Sequence, residues 1–146
     1  TGRILKTLEG HTGSVLSIGI LPNGCIISGS YDTTVKIWDP ETDQILKTLK
    51  GHNNSVYCLS ILPNGCIISG SYDTTVKIWD PETGQILQNL IGHTDNVFCL
   101  GILLNGNIIS GSGDTTLKIW DPKTGQKVRS IGMNWASTIV LRPCFS

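Results

Sequence analysis

The chain is poor in net charge and in long apolar runs, and each shortage removes a class of function. Its 146 residues carry 11 basic and 11 acidic side chains, a formal net charge of zero, with no block of either sign. Nucleic acids and anionic membranes are bound through concentrated positive charge, so neither partner is expected. No apolar run is long enough to span a bilayer. The opening stretch TGRILKTLEG lacks the basic-then-apolar plan of a secretory signal. No C-x-x-C pair occurs among Cys25, Cys58, Cys66, Cys99 and Cys144, which argues against a zinc site. The cysteine count is odd, and the residues sit in apolar stretches such as NGCIIS and VFCLG. They read as buried free thiols rather than as a disulfide frame, which favours an intracellular, cytoplasmic setting. The triplet Asn53-Asn54-Ser55 is a glycosylation sequon that means little outside a secretory context. The glycines never reach the spacing of a phosphate-binding loop, and no cofactor is expected.

What the chain does have is repetition. Gly10-His11, Gly51-His52 and Gly92-His93 stand 41 residues apart, and so do Trp38, Trp79 and Trp120. The segment ILPNGCIISGSYDTTVKIWDPET occurs unchanged at 20–42 and 61–83. Such a period governs the fold before any local propensity does. Within one period, SVLSIGI leads to the turn Pro22-Asn23-Gly24, then CIISGS, a tight turn at Tyr31-Asp32-Thr33, TVKIW, a DPETD loop and QILKTL. β-branched and apolar residues fill the runs, and turn formers separate them. Each period therefore reads as four short antiparallel strands, with no helical periodicity.

Gly-His, then SGSYD, then IWD, at a period near forty, resembles the WD40 repeat of the β-propeller family. The resemblance covers residues 1–131 and implies an all-β fold of propeller blades, each of four strands a to d running outward from the ring axis. Three blades are expected at about 14–49, 55–90 and 96–131, preceded by a lone outer strand at 3–8. Residues 132–146 read as the truncated, degenerate start of a fourth repeat, with Met133 where His would stand and STIVL as one more inner strand.

Ser, His and Asp are also the parts of a hydrolase triad, so the repeat poses a choice between chemistry and architecture. The family resemblance implies a hydrogen-bonded structural tetrad. In the first blade it maps to His11, Ser28, Asp32 and Trp38. It maps to His52, Ser69, Asp73 and Trp79 in the second, and to His93, Ser110, Asp114 and Trp120 in the third. Ser30, Ser71 and Ser112 are alternatives for the serine. An indole N–H only donates, a carboxylate only accepts and an imidazole does both, so a Trp–Ser–His–Asp chain satisfies every member. Three equivalent copies do not make one asymmetric cleft, and no G-x-S-x-G elbow is present. Architecture is the expectation, and the chain is not expected to be an enzyme. Lys36, Lys77 and Lys118 read as solvated or tetrad-neighbouring lysines.

The resemblance further implies a rigid platform that binds a protein or peptide at its loop-rich top rim. The family's contact positions map to Ser14, Leu16 and Tyr31, to Ser55, Tyr57 and Tyr72, and to Asn96, Phe98 and Gly113. Every tyrosine of the chain falls in this set, and aromatic clusters suit interface centres. Packing between blades is the competing reading for Tyr57 and Phe98. Two other readings of the whole chain stay open: a structural repeat segment without its own ligand, and blades that target a separate catalytic domain. Three blades do not close a ring of about 4–8. Either the chain is a piece of a longer propeller protein, or copies self-associate, for example as a symmetric dimer of six full blades with two imperfect junctions.

Overall fold

Each 41-residue period folds on itself because its turn residues sit where the chain must reverse. The computed structural model describes residues 1–132. Twelve strands form three four-stranded antiparallel sheets, each in simple sequence order. The first sheet holds β1 (Val15–Ile20), β2 (Ile26–Ser30), β3 (Val35–Trp38) and β4 (Ile45–Leu49). The second holds β5 (Val56–Ile61), β6 (Ile67–Ser71), β7 (Val76–Trp79) and β8 (Ile86–Leu90). The third holds β9 (Val97–Ile102), β10 (Ile108–Ser112), β11 (Thr116–Trp120) and β12 (Lys127–Gly132). We call the sheets blades 1 to 3. No helix among the described residues is long and apolar enough to cross a membrane.

The turns show why the sequence repeats as it does. In the a–b hairpin, the Gly24 N–H donates to Leu21 O and the Leu21 N–H to Cys25 O, both at 2.8 Å. Gly24 takes φ +88° there, a left-handed conformation that costs glycine little. The b–c hairpin makes the same demand but places Thr33, Thr74 and Thr115 in it, at φ 75°, 76° and 69°. A β-branched residue in that region is strained. In the c–d loop the left-handed position is Gly84 and Gly125 in blades 2 and 3, whereas Asp43 fills it in blade 1.

The apolar core lies between blades rather than within them. One cluster joins Leu21, Ile27, Val35, Ile37 and Leu49 of blade 1 to Val56, Ile67 and Trp79 of blade 2. The other joins Cys58, Leu62, Ile68, Val76, Ile78 and Leu90 of blade 2 to Val97, Ile108 and Trp120 of blade 3. Each blade thus presents a front face to the blade before it and a rear face to the blade after it. The outward faces of blades 1 and 3 leave Val15, Ile18 and Ile20 exposed at one end, and Leu117 and Ile131 at the other.

One expected element does not form: residues 3–8 make no strand, and Ile4 and Leu5 are almost fully exposed. A strand exists only through a ladder partner, and no c strand precedes this segment within the chain to supply one. The segment still lies where an outer strand would meet blade 1, with Lys6 Nζ donating to Pro40 O at 2.9 Å and pairing with Asp43 Oδ1 at 2.8 Å. The expected inner strand STIVL and the Met133 position lie outside the described residues.

Candidate functional site

The period that sets the strands also sets one polar chain inside each blade. In blade 1, β3 delivers Trp38, whose indole Nε1–H donates to Ser28 Oγ on β2 at 2.7 Å. Ser28 Oγ meets His11 Nε2 at 2.7 Å, and His11 Nδ1 meets Asp32 Oδ2 at 2.7 Å. Blade 2 repeats the arrangement through Trp79, Ser69, His52 and Asp73 at 2.7, 2.7 and 2.8 Å. Blade 3 repeats it through Trp120, Ser110, His93 and Asp114 at 2.8, 2.7 and 2.7 Å. With the imidazole proton on Nδ1, the chain runs Trp N–H to Ser O, Ser O–H to His Nε2, and His N–H to Asp. Each member then has the partner it needs, and no buried side-chain nitrogen or oxygen among the described residues lacks one.

The glycine of each Gly-His pair has a steric reason as well. A β-carbon on Gly10, Gly51 or Gly92 would stand 3.1 Å from Cη2 of Trp38, Trp79 or Trp120 respectively. The indole therefore lies against bare backbone, and this brings the neighbouring histidine into line with the serine.

One more residue per blade completes the aspartate's surroundings, and reading the sequence missed it. Thr34, Thr75 and Thr116 donate their hydroxyls to Oδ1 of Asp32, Asp73 and Asp114 at 2.6, 2.7 and 2.6 Å. Their backbone N–H groups bind the same carboxylates. The Thr lies two residues past the Asp, the spacing at which a carboxylate closes a local turn, and that was the available signal. Burial by itself pushes the Asp32 carboxyl up. The hydrogen bonds from Thr34, His11 and the Thr12 backbone reverse this and hold it well below the ordinary 3.8. Asp73 and Asp114 are lowered in the same way.

Ser30, Ser71 and Ser112 are not substitutes for the chain serines. Ser30 Oγ donates to Gly13 O and accepts the Asp32 N–H, so it fixes the turn that carries the aspartate. Ser71 and Ser112 do the same in their blades. The strand-c lysines are not solvated either. Lys77 and Lys118 are buried, and the three side chains reach across to strand d, to Thr48, Asn89 and Ser130. Cys58 is a free buried thiol that burial pushes up to about 12, which removes it as a nucleophile at neutral pH. Cys25 and Cys66 are free and half-buried, whereas Cys99 is exposed, against expectation, because it sits on the face of blade 3 that no other described blade covers.

The rim residues lie at the end of the blades that carries the b–c turns. Backbone bonds pair them within each blade: Tyr31 N–H to Ser14 O, Tyr72 N–H to Ser55 O, and Gly113 N–H to Asn96 O, at 2.8, 2.9 and 2.9 Å. Tyr31, Tyr72 and Phe98 are 63%, 46% and 50% exposed. Tyr57 is half-buried and joins a row across blades 2 and 3, its ring centroid 6.0 Å from Tyr72 and 5.3 Å from Phe98. Gly113 lies tight against this row, since a β-carbon there would stand 3.0 Å from Asp95 Oδ2 and 3.3 Å from the Phe98 ring. Leu16 is exposed on β1 of Tyr31's own blade, outside the aromatic row. Ser55 does not belong on a contact surface: it is 2% exposed, and its hydroxyl donates to Tyr31 O of the blade before it. Asn96 makes the equivalent link when its side-chain amide is turned so that the nitrogen faces Tyr72 O and Asp95 Oδ1, each then 3.2 Å away.

Comparison with known proteins agrees with this geometry. The family model for the WD domain, G-beta repeat, matches residues 2–39, 43–80 and 84–121. A transcriptional repressor, rco-1 of Neurospora crassa, is 48% identical over 42 residues, which is 28% of this chain and 7% of the relative. The periodic tryptophan protein 2 homolog of Schizosaccharomyces pombe is 50% identical over 40 residues, 27% of this chain and 5% of the relative. These matches span less than a tenth of the relatives' length. Among solved structures, the WD40 β-propeller domain of Doa1 superposes with a TM-score of 0.80 at 32% identity, covering 86% of this chain and 43% of that one. U3-55K superposes with a TM-score of 0.82 at 25% identity, covering 87% and 42%. With three in-phase repeats, three four-stranded sheets and these neighbours, the chain belongs to the WD40-repeat family, and its sheets are β-propeller blades.

Proposed function

We propose that this chain is a non-enzymatic interaction scaffold that binds a protein or peptide at its rim, through Leu16, Tyr31, Tyr57, Tyr72 and Phe98 with Ser14 and Asn96 beside them. The observation that carries this reading is the aromatic row Tyr72–Tyr57–Phe98, held in contact across two blades while two of its rings stay half exposed. Large rigid side chains on a fixed frame lose little entropy on binding and offer apolar area to a partner.

The Trp–Ser–His–Asp chains serve as internal clamps in this reading. The serine oxygen that would act as nucleophile is buried in all three blades and already accepts an indole N–H, which withdraws rather than raises its nucleophilicity. Free thiols at Cys25, Cys58, Cys66 and Cys99 suit a reducing, intracellular compartment.

Peptides selected from a random display library on the immobilised chain test the reading. Amide shift perturbations from such a peptide are expected around Tyr31, Tyr72 and Phe98. Perturbations confined to the opposite-end hairpins at Pro22–Gly24 and Pro63–Gly65 would contradict it.

A further inference from the structure

Strand d is the outer edge of each blade, and one of the three edges has lost its charge. The sheets end on β4, β8 and β12, so among the described residues nothing pairs with the far side of these strands. A strand edge offers unpaired N–H and C=O groups to any other strand, and charged side chains, lysine above all, are the usual guard.

The repeat lets the edges be compared position by position. Blade 1 carries Lys47 on β4 and Lys50 just after it, and blade 3 carries Lys127 and Arg129 on β12. In blade 2 the counterparts of Lys47 and Lys50 are Gln88 and Ile91, and no residue from Thr83 to Gly92 is charged. The apolar residues do not change with the charges. Ile86 and Leu87 are exposed on β8 just as Ile45 and Leu46 are on β4, and Ile91 is 75% exposed where blade 1 has a lysine. Gln88 is turned aside, its Nε2 donating to Lys123 O of blade 3 at 3.2 Å, and does not shield the edge. The bulge opposite the strand-c tryptophan is no substitute guard, because all three blades have it. Blade 2 packs against a described blade on each face, so the state of its edge does not come from an uncovered face.

We propose that the edge of blade 2 pairs with the same edge of a second copy, β8 against β8, antiparallel about a two-fold axis. Charge selects this occupant. With Gln88 opposite its own copy, Ile86 meets Leu90 and Leu87 meets Asn89, and no charge faces a charge. The same pairing of β4 sets Lys47 against Lys47, which is destabilising. Pairing of β12 gathers Lys127 and Arg129 of both copies into one sheet. Against a foreign strand, β8 has no charged group with which to select it. The zero net charge of the chain adds no long-range repulsion between copies. The two-fold contact uses each edge once and so closes as a dimer. One short strand pair buries less than a standard interface, which makes the dimer a weak one. The proposal does not rest on the rim reading and can fail without it.

Amide hydrogen exchange of the whole chain, from micromolar to millimolar concentration, tests it. Exchange is expected to slow with concentration on β8 and to stay constant on β4 and β12. Gln88→Lys with Ile91→Lys gives blade 2 the residues blade 1 already carries, so the fold is expected to hold, as circular dichroism checks. Self-association, read by sedimentation, is expected to weaken by at least about tenfold in that variant. The converse change, Lys47→Gln with Lys50→Ile, opens a second edge. It is expected to slow exchange on β4 and to carry the mass beyond twice the monomer. Constant exchange on β8, slowing on β4 or β12 of the unaltered chain, or undiminished association in the double-lysine variant overturns the proposal. So does slowing on β8 that appears with an added synthetic peptide of residues 83–92 but not on concentrating the chain, which assigns the edge to a foreign strand.

Discussion

Val97 Cγ1 lies 2.7 Å from the place a β-carbon on Gly70 would take, and Cys58 Sγ lies 2.6 Å from it on the other side. Gly70 is therefore the point at which blade 3 enters blade 2. Gly70→Ala is expected to destabilise the chain by about 1–3 kcal/mol through overpacking. The same change combined with Val97→Ala is expected to cost less than the sum of the two, since the second removes one of the two clashes the first creates. Urea unfolding of the four variants of the cycle checks this, and strict additivity contradicts it.

Ser69 ties two buried groups at once. Ser69→Ala leaves the Trp79 indole N–H and His52 Nε2 without their partner, whereas Trp79→Phe leaves the serine still bound to histidine. An unpaired buried group costs about 1–3 kcal/mol. Ser69→Ala is therefore expected to lower stability by roughly 2–6 kcal/mol for its two groups, with a coupling to Trp79→Phe that thermal unfolding reads as non-additivity.

Acid is expected to act through the three aspartates. Asp32, Asp73 and Asp114 are lowered from 3.8 in the folded chain. Their contribution is fully present above the unfolded-state value and is lost as pH falls through the folded one. The urea midpoint should hold steady from neutral pH to about 5 as far as these groups are concerned, then fall steadily below pH 4. Asp73→Asn is expected to lower stability at neutral pH and to flatten part of the acid limb. An unchanged acid slope in that variant contradicts the assignment.

Thr33, Thr74 and Thr115 hold left-handed backbone without a side-chain hydrogen bond of their own in compensation. Replacing Thr74 by Gly relieves strain of about 1–3 kcal/mol and gives back part of it in unfolded-state entropy. A net gain of about 1 kcal/mol in urea unfolding is expected, and a loss contradicts the strain.

The blades were legible in the sequence because a period of 41 repeats the turn formers as faithfully as the apolar residues. The strands begin one residue later than the apolar runs suggest, at Val15 rather than Ser14 and at Ile26 rather than Cys25. Periodicity could not show which strands would find partners. Residues 3–8 match the outer-strand pattern, yet no ladder forms on them among the described residues. Nor could it separate Ser28 from Ser30, which lie two residues apart on one face of β2 and differ in place rather than in type. Ser28 sits mid-strand beneath the indole, and Ser30 ends the strand at the turn. Ser55 and Cys99 were misjudged for one reason. Exposure at a blade edge depends on the neighbouring blade, and a single repeat carries no record of what packs against it.

The central claim is that this frame presents its rim aromatics to a partner, and one binding isotherm tests it most directly. A display-selected peptide is titrated against the unaltered chain and against Tyr72→Ala with Phe98→Ala, with circular dichroism confirming that the double variant stays folded. Loss of two interface aromatics is expected to weaken binding by at least about thirtyfold. Undiminished affinity in the folded double variant would contradict the account.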